Sequence, residues 1–198
     1  MSFAFANKLG VSVSKSFNNP YDAFKDQNNK KELCLVSDNR VIMILDTKMI
    51  SVKWALSCAK RVLHIFEEKY PDDKIPRKAI EAVFNWIKDP SEKNKNICKD
   101  ATKVAYSYYA SFASYASYVV VSDPAYYAID AINAAYFSTY HASNKSLEIK
   151  WQIKKLNQIV YEEILLAFVM TQYIRVDKKL VRKIPKELLE YIASFIIG

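Results

Sequence analysis

Glycine is nearly absent from this chain of 198 residues, which contains only Gly10 and Gly198. A glycine-rich phosphate-binding loop needs several glycines in one short segment, and a β-fold dense in turns needs more of them. The composition therefore excludes a glycine-rich phosphate-binding loop and disfavours a turn-dense β-fold. Alanine, lysine, leucine and isoleucine are abundant, and these residues favour helices. Hydrophobic residues make up 51% of the chain, enough to form a substantial core.

Histidine and cysteine are also scarce. The two histidines, His64 and His141, have no neighbours at the spacing of a zinc or iron site, so we predict no metal centre and no cofactor. The three cysteines, Cys34, Cys58 and Cys98, contain no Cys-x-x-Cys pair, and their number is odd. This usage is typical of a reduced, intracellular protein of the cytoplasm or the nucleus.

Cys58 is the best candidate for a catalytic nucleophile, because Arg61 one helical turn away would lower the pKa of its thiol. However, Cys58 belongs to an apolar helical stripe, where burial usually leaves a thiol inert. Nothing in the sequence places His141 beside it as a general base. The residue pattern therefore predicts a protein that is not an enzyme.

Long apolar segments are absent as well. The most apolar region, Val119–Phe137, is interrupted by Asp123 and Asp130, so it is not suited to span a bilayer. Residues 1–8 lack the order of charged, apolar and small residues found in a secretory signal. We therefore expect no membrane partner.

The chain carries a net charge of +8, concentrated outside the nearly uncharged residues 101–144. A solvated surface explains such an excess, and binding of nucleic acid or of an acidic protein is the sharper alternative. A basic cluster near the C-terminus is the best candidate for phosphate contacts: Lys178, Lys179, Arg182, Lys183 and Lys186. On this alternative the protein is a nucleic-acid-associated protein of a large DNA virus or of a nuclear setting.

The stretch from Trp54 to Trp86 predicts a helix, a tight turn and a second helix. Apolar residues recur at helical spacing on both sides of the turn. Pro71 cannot continue the first helix, and Pro76 suits the first turn of the second. Two helices joined by so short a connection pack antiparallel. The first of them is expected to begin near Thr47 or Lys48 and to end near Tyr70.

The remaining segments complete a single all-α domain, predicted as a bundle of about six or seven helices in residues 32–176. Residues 1–31 are predicted to form an irregular arm, and 177–198 a basic segment with a terminal helix. Residues 32–47 fit either a β-hairpin around Asp38 or a helix capped by it, and the helical surroundings favour the helix. Residues 101–144 alternate small residues with tyrosines, which indicates core packing more than stacking on bases, since this segment has a single lysine against two aspartates.

The helical stretch also resembles a known family, the Imm-5 immunity proteins. The similarity covers roughly residues 50–165 and is most specific at the turn, where it includes Cys58-Ala59, Arg61-Val62-Leu63, Phe66-Glu67, Tyr70-Pro71-Asp72-Asp73, Pro76-Arg77, Ala79-Ile80-Glu81-Ala82 and Trp86. Glu148, Trp151, Gln152 and Leu156 also fit the pattern. His64 and Ile75 depart from it, standing where the family tends to have proline and arginine.

The resemblance implies a helical module that neutralises a toxin of a bacterial polymorphic toxin system or acts in interaction with a host. Related modules occur in large DNA viruses. It therefore implies a protein partner, bound through the surface of residues 61–81. The candidate contact residues are Arg61, Glu68, Asp72, Asp73 and Arg77. The small-residue faces of residues 101–144 would also suit a homodimer. A weaker resemblance, to the opening helix of an F-box, lies at residues 184–196.

Overall fold

The structure is a computed structural model that describes residues 1–6, 9–26, 32–106, 111–122 and 126–176. Within these ranges the chain forms seven helices and one three-stranded sheet, so the prediction of a mainly helical bundle is confirmed. In chain order the elements are β1 (Ser2–Ala6), α1 (Pro20–Lys25), β2 (Glu32–Ser37), β3 (Arg40–Ile44), α2 (Thr47–Lys69), α3 (Ile75–Lys88), α4 (Glu92–Tyr106), α5 (Ser111–Val121), α6 (Tyr127–His141) and α7 (Lys145–Val176).

Helix α2 is the centre of the bundle, because it packs against α3, α5, α6 and α7. Its start is set by Asp46, whose carboxylate accepts a hydrogen bond of 2.9 Å from the backbone N–H of Met49. Its end comes at Lys69, one residue before the Tyr70-Pro71 step. Both bounds match the sequence prediction. Fully buried Trp54 and Cys58 lie one turn apart on its inner face.

Helices α2 and α3 are antiparallel, as their short connection predicts. Successive contacts pair the end of one helix with the start of the other: Glu67 with Arg77, Lys60 with Phe84 and Lys48 with Trp86. In the turn, the Asp73 carboxylate accepts a hydrogen bond of 2.9 Å from the backbone N–H of Ile75. Pro76 then lies in the first turn of α3, where its missing N–H is not needed. The predicted position of Pro76 is confirmed.

The helix favoured for residues 32–47 is wrong, and the alternative hairpin is observed. Strands β2 and β3 pair antiparallel around Asp38 and Asn39, whose φ angles are 49° and 59°. Asp and Asn tolerate this left-handed region better than other non-glycine residues, and a two-residue hairpin turn can require it. The deciding contact is distant in sequence, since β1 pairs with the other edge of β2.

Residues 1–31 contain regular structure where the sequence predicts an irregular arm. Strand β1 joins the sheet, and Phe3 exchanges two backbone hydrogen bonds of 2.7 Å with Phe17. Helix α1 is capped by Asn19, whose side chain accepts from the backbone N–H of Asp22 at 2.9 Å. Phe3 and Phe24 are fully buried. The N-terminal segment is therefore part of the hydrophobic core.

Candidate partner-binding site

The five residues predicted to bind a partner divide into two groups in the structure. Glu68, Asp72, Asp73 and Arg77 lie at the end of the α2–α3 hairpin, and Arg61 lies about two turns earlier on α2. Glu68, Asp72 and Arg77 are exposed, whereas Asp73 is partly covered by the turn that it stabilises. We call these five residues the hairpin surface.

Arg77 is held by a carboxylate of the neighbouring helix. Its Nε and Nη2 each donate a hydrogen bond of 2.6 Å to one oxygen of Glu67, which is the bidentate geometry that arginine favours. The hydrogen bonds from Arg77 lower the pKa of the Glu67 carboxyl. Glu81 is the carboxylate one turn along the same helix, but the observed partner lies across the turn. The guanidinium is thus fixed in direction while remaining exposed.

Arg61 is paired with α7 and not with Glu68, which lies about two turns further along its own helix. Its Nε donates a hydrogen bond of 2.7 Å to Glu148 Oε2, and its guanidinium lies 4.5 Å from the centre of the Trp151 ring. The Glu148 side chain is only 5% exposed, against 43% for that of Arg61. Arg61 therefore connects a buried carboxylate to the protein surface.

Behind Arg61, a hydrogen-bond network joins α2, α6 and α7. The amide of buried Gln152 donates to Glu148 Oε1 at 3.2 Å and to the carbonyl of Ala135 at 2.9 Å. Its oxygen accepts from the Thr139 hydroxyl at 3.2 Å, and its backbone carbonyl accepts from Trp54 Nε1 at 3.0 Å. The sequence indicates Glu148 and Gln152 only through the family resemblance. Their pairing with α2 spans 87 residues or more and has no local signal.

The cysteines do not form a nucleophilic site among the described residues. All three are buried, and burial raises the pKa of Cys34 to about 11 and that of Cys98 to about 12. Burial also raises the pKa of Cys58 strongly, nearby Glu148 adds to the rise, and Arg61 opposes it only in part. His141 contacts the rings of Phe112 and Tyr140. Arg61 therefore does not activate the Cys58 thiol.

We expect Cys34, Cys58 and Cys98 to resist alkylation in the folded protein. At pH 8 a neutral thiol reagent needs an accessible thiolate, and burial together with the raised pKa values denies it one. Mass spectrometry of native protein treated with iodoacetamide should show no labelled cysteine, whereas protein in denaturant should carry three labels. Rapid labelling of Cys58 in the native state would contradict the structure and restore the nucleophile hypothesis.

Some of the sequence predictions are not tested by the described part of the structure. Two predicted features lie outside the described residues: the F-box-like segment and the basic cluster of Lys178, Lys179, Arg182, Lys183 and Lys186. The nucleic-acid alternative therefore stays a prediction. The homodimer stays a prediction as well. In the described ranges no three His, Cys, Asp or Glu side chains cluster in a way that could hold a metal ion. Among the helices described, none has the length and apolar character needed to cross a membrane.

Comparison with known proteins gives one match. The model of the family described as Imm-5 like putative immunity protein matches residues 43–116, which is less than half of the chain. No curated protein and no solved structure matches. The matched segment contains the whole hairpin surface but not Glu148, Trp151 or Gln152, so the wider resemblance to residue 165 stays a prediction. Residues 43–116 are thus similar to a family of immunity proteins.

Proposed function

We propose that this protein binds and occludes a toxin-type protein partner through the hairpin surface, with Arg61, Glu68, Asp72, Asp73 and Arg77 as its contact residues. The observation that carries the proposal is that the segment similar to the immunity family contains all five. An immunity protein acts by binding, so its contact surface must be displayed by stable elements. The hairpin surface meets this requirement because it lies on the two packed helices α2 and α3.

The charges of the hairpin surface favour recognition of a partner with matching charges. Glu68 and Asp72 are exposed and take part in no ion pair with another described residue. Arg61 and Arg77 each keep N–H groups beyond those that bind Glu148 and Glu67. Charges of both signs thus lie together at the end of the α2–α3 hairpin, in Glu68, Asp72 and Arg77, with Arg61 about two turns earlier on α2. Complementary charges on a partner would provide specificity and speed association.

The arginines are also held in place before any partner arrives. Glu67 fixes the direction of Arg77 through two hydrogen bonds, and Trp151 with Glu148 does the same for Arg61. A long side chain loses rotational freedom when it is immobilised at an interface. Part of that loss has already occurred in the free protein, so the surface is suited to tight binding.

The test is a comparison of partner capture by wild-type protein and by Arg77→Glu. Proteins retained from an extract of the source cells should include one that Arg77→Glu fails to retain. With that partner purified, calorimetry should show binding weakened about tenfold or more, because a cation at the interface has become an anion. Lys93→Glu, which makes the same change at an exposed position of α4, should bind like the wild type.

A charge swap separates recognition from folding. Arg77→Glu alone places two carboxylates together, whereas Glu67→Arg with Arg77→Glu restores an ion pair with its charges exchanged. If Arg77 contacts the partner, the double variant should remain defective although its stability recovers. Full recovery of binding would reduce Arg77 to a structural role. Retention of every captured protein by Arg77→Glu would refute the hairpin surface as the binding site.

A further inference from the structure

A second candidate site lies between α4, α5 and α6, where two cavities adjoin. One has a volume of about 620 Å³ and the other about 530 Å³. Thr102, Lys103 and Tyr118 line both of them, so the cavities are neighbouring sections of one groove. We call it the α4–α5–α6 groove. Each section has the size of a pocket for a small organic molecule.

One section of the groove is basic. Lys95, Lys99 and Lys103 line it at intervals of four residues, which places them on one face of α4. Among the described residues that line this section, Glu92 is the only one with a carboxylate. Lys95 lies 3.1 Å from Glu92, and Lys103 lies 3.5 Å from Asp100. Lys99 makes no ion pair with a described residue. Three ammonium groups on one face favour an anionic ligand such as a phosphate chain.

The other section combines aromatic surface with hydrogen-bonding groups. Tyr118 is 44% exposed, although the sequence pattern predicts core packing for the tyrosines of this region. Beside it, Tyr115 stacks on Phe137 with ring centres 5.1 Å apart and an interplanar angle of 11°. Tyr118 therefore offers a ring next to the lysines, where a flat heterocycle could stack.

Two polar side chains of α6 line the same section. Asp130 and Asn133 are three residues apart, on one face of the helix. Asp130 is 6% exposed, and its Oδ2 accepts a hydrogen bond from the Ser122 hydroxyl. Burial raises the pKa of the Asp130 carboxyl. Together the carboxyl and the Asn133 amide provide acceptors and a donor, which suits the hydroxyl groups of a sugar or the polar edge of a base.

We propose that the α4–α5–α6 groove binds a nucleoside phosphate. The phosphates contact Lys95, Lys99 and Lys103, the base lies against Tyr118, and Asp130 with Asn133 binds the sugar or the base edge. A simple anion would leave the aromatic and polar section unused, and an uncharged ring would leave the lysines unused. The groove shares no residue with the hairpin surface, so this inference is independent of the proposed partner.

The probes are ATP and GTP, measured by isothermal titration calorimetry against adenosine, guanosine and inorganic triphosphate. At least one nucleotide should bind about tenfold more tightly than its nucleoside and than triphosphate, because each section of the groove contributes. Lys99→Ala and Tyr118→Ala should each weaken binding about tenfold. Lys93→Ala removes the same charge from an exposed position of α4 outside the lining and should change nothing.

Three outcomes would overturn the inference. The first is the absence of binding by either nucleotide at millimolar concentration to protein whose circular dichroism shows it to be folded. The second is equal binding of triphosphate and nucleotide, which would reduce the groove to an anion site. The third is an equal loss on Lys93→Ala and Lys99→Ala, which would indicate attraction to the general positive charge of the chain.

Discussion

Phe24→Ala is expected to lower the free energy of unfolding by about 3–5 kcal/mol, the range found when a large aromatic side chain is removed from a core. Phe24 is fully buried although it lies in the N-terminal segment. Its ring packs edge-on against Trp54 of α2 at 5.7 Å and against Phe5 of β1 at 5.8 Å. The substitution would leave a cavity between the sheet, α1 and the central helix. Urea unfolding followed by tryptophan fluorescence measures the loss.

Phe84→Ala is the matched control for this experiment. Phe84 is 42% exposed on α3, and its ring contacts only the ammonium groups of Lys60 and Lys88 among the ring and charge contacts described. Its removal should cost less than about 1 kcal/mol, as is usual for a surface position. Similar small losses for both variants would show that the N-terminal segment is not part of the core and would support the irregular arm.

Glu148→Ala is expected to cost about 2–3 kcal/mol, because it removes the buried acceptor of two hydrogen bonds. Arg61 would lose its partner, and the Nε2 donor of buried Gln152 would keep only the Ala135 carbonyl as its acceptor. Because the side chain of Arg61 is 43% exposed, water solvates the guanidinium left without its partner. The loss of stability is therefore smaller than for a fully buried ion pair. Chemical denaturation at neutral pH would measure this cost.

Glu162→Ala tests whether burial causes the effect. Glu162 lies on the same helix and accepts a hydrogen bond of 2.8 Å from Gln158, but both residues are exposed. Its removal should change stability by about 0.5 kcal/mol or less. Equal losses for the two glutamates would mean that the network behind Arg61 contributes no more than a surface pair. A double-mutant cycle of Glu148→Ala with Arg61→Ala would then isolate their coupling.

The bounds of α2 and α3 could be predicted from the sequence because they depend on local chemistry. The Tyr70-Pro71 step ends one helix, Pro76 fits the first turn of the next, and Asp73 binds a backbone N–H two residues away. The same holds for the inner face of α2, where apolar residues recur at helical spacing. The position of the hairpin surface follows from these elements, and the family similarity of residues 43–116 coincides with them.

The hairpin of β2 and β3 could not be chosen over a helix in the same way. Over so short a run, its residues fit both the helical and the strand periodicity. Contacts with other parts of the chain therefore decide between helix and strand. Strand β1 supplies such a contact by pairing Phe3 with Leu35. A strand at the N-terminus buries little by itself. Its residues become core only when other elements cover them, as Tyr161 of α7 contacts Phe3 and Phe24 of α1 contacts Phe5. The sequence alone therefore indicates an arm.

The amino-acid sequence by itself determined the helical class, the central helical hairpin and the small number of chemical groups available for catalysis or metal binding. Only the tertiary structure decided which charges meet. Arg61 binds Glu148, Arg77 binds Glu67, and Asp130 shares a groove with the lysines of α4. The reason is physical. Helix ends and turns arise from interactions within a few residues, whereas ion pairs and grooves depend on how whole elements pack.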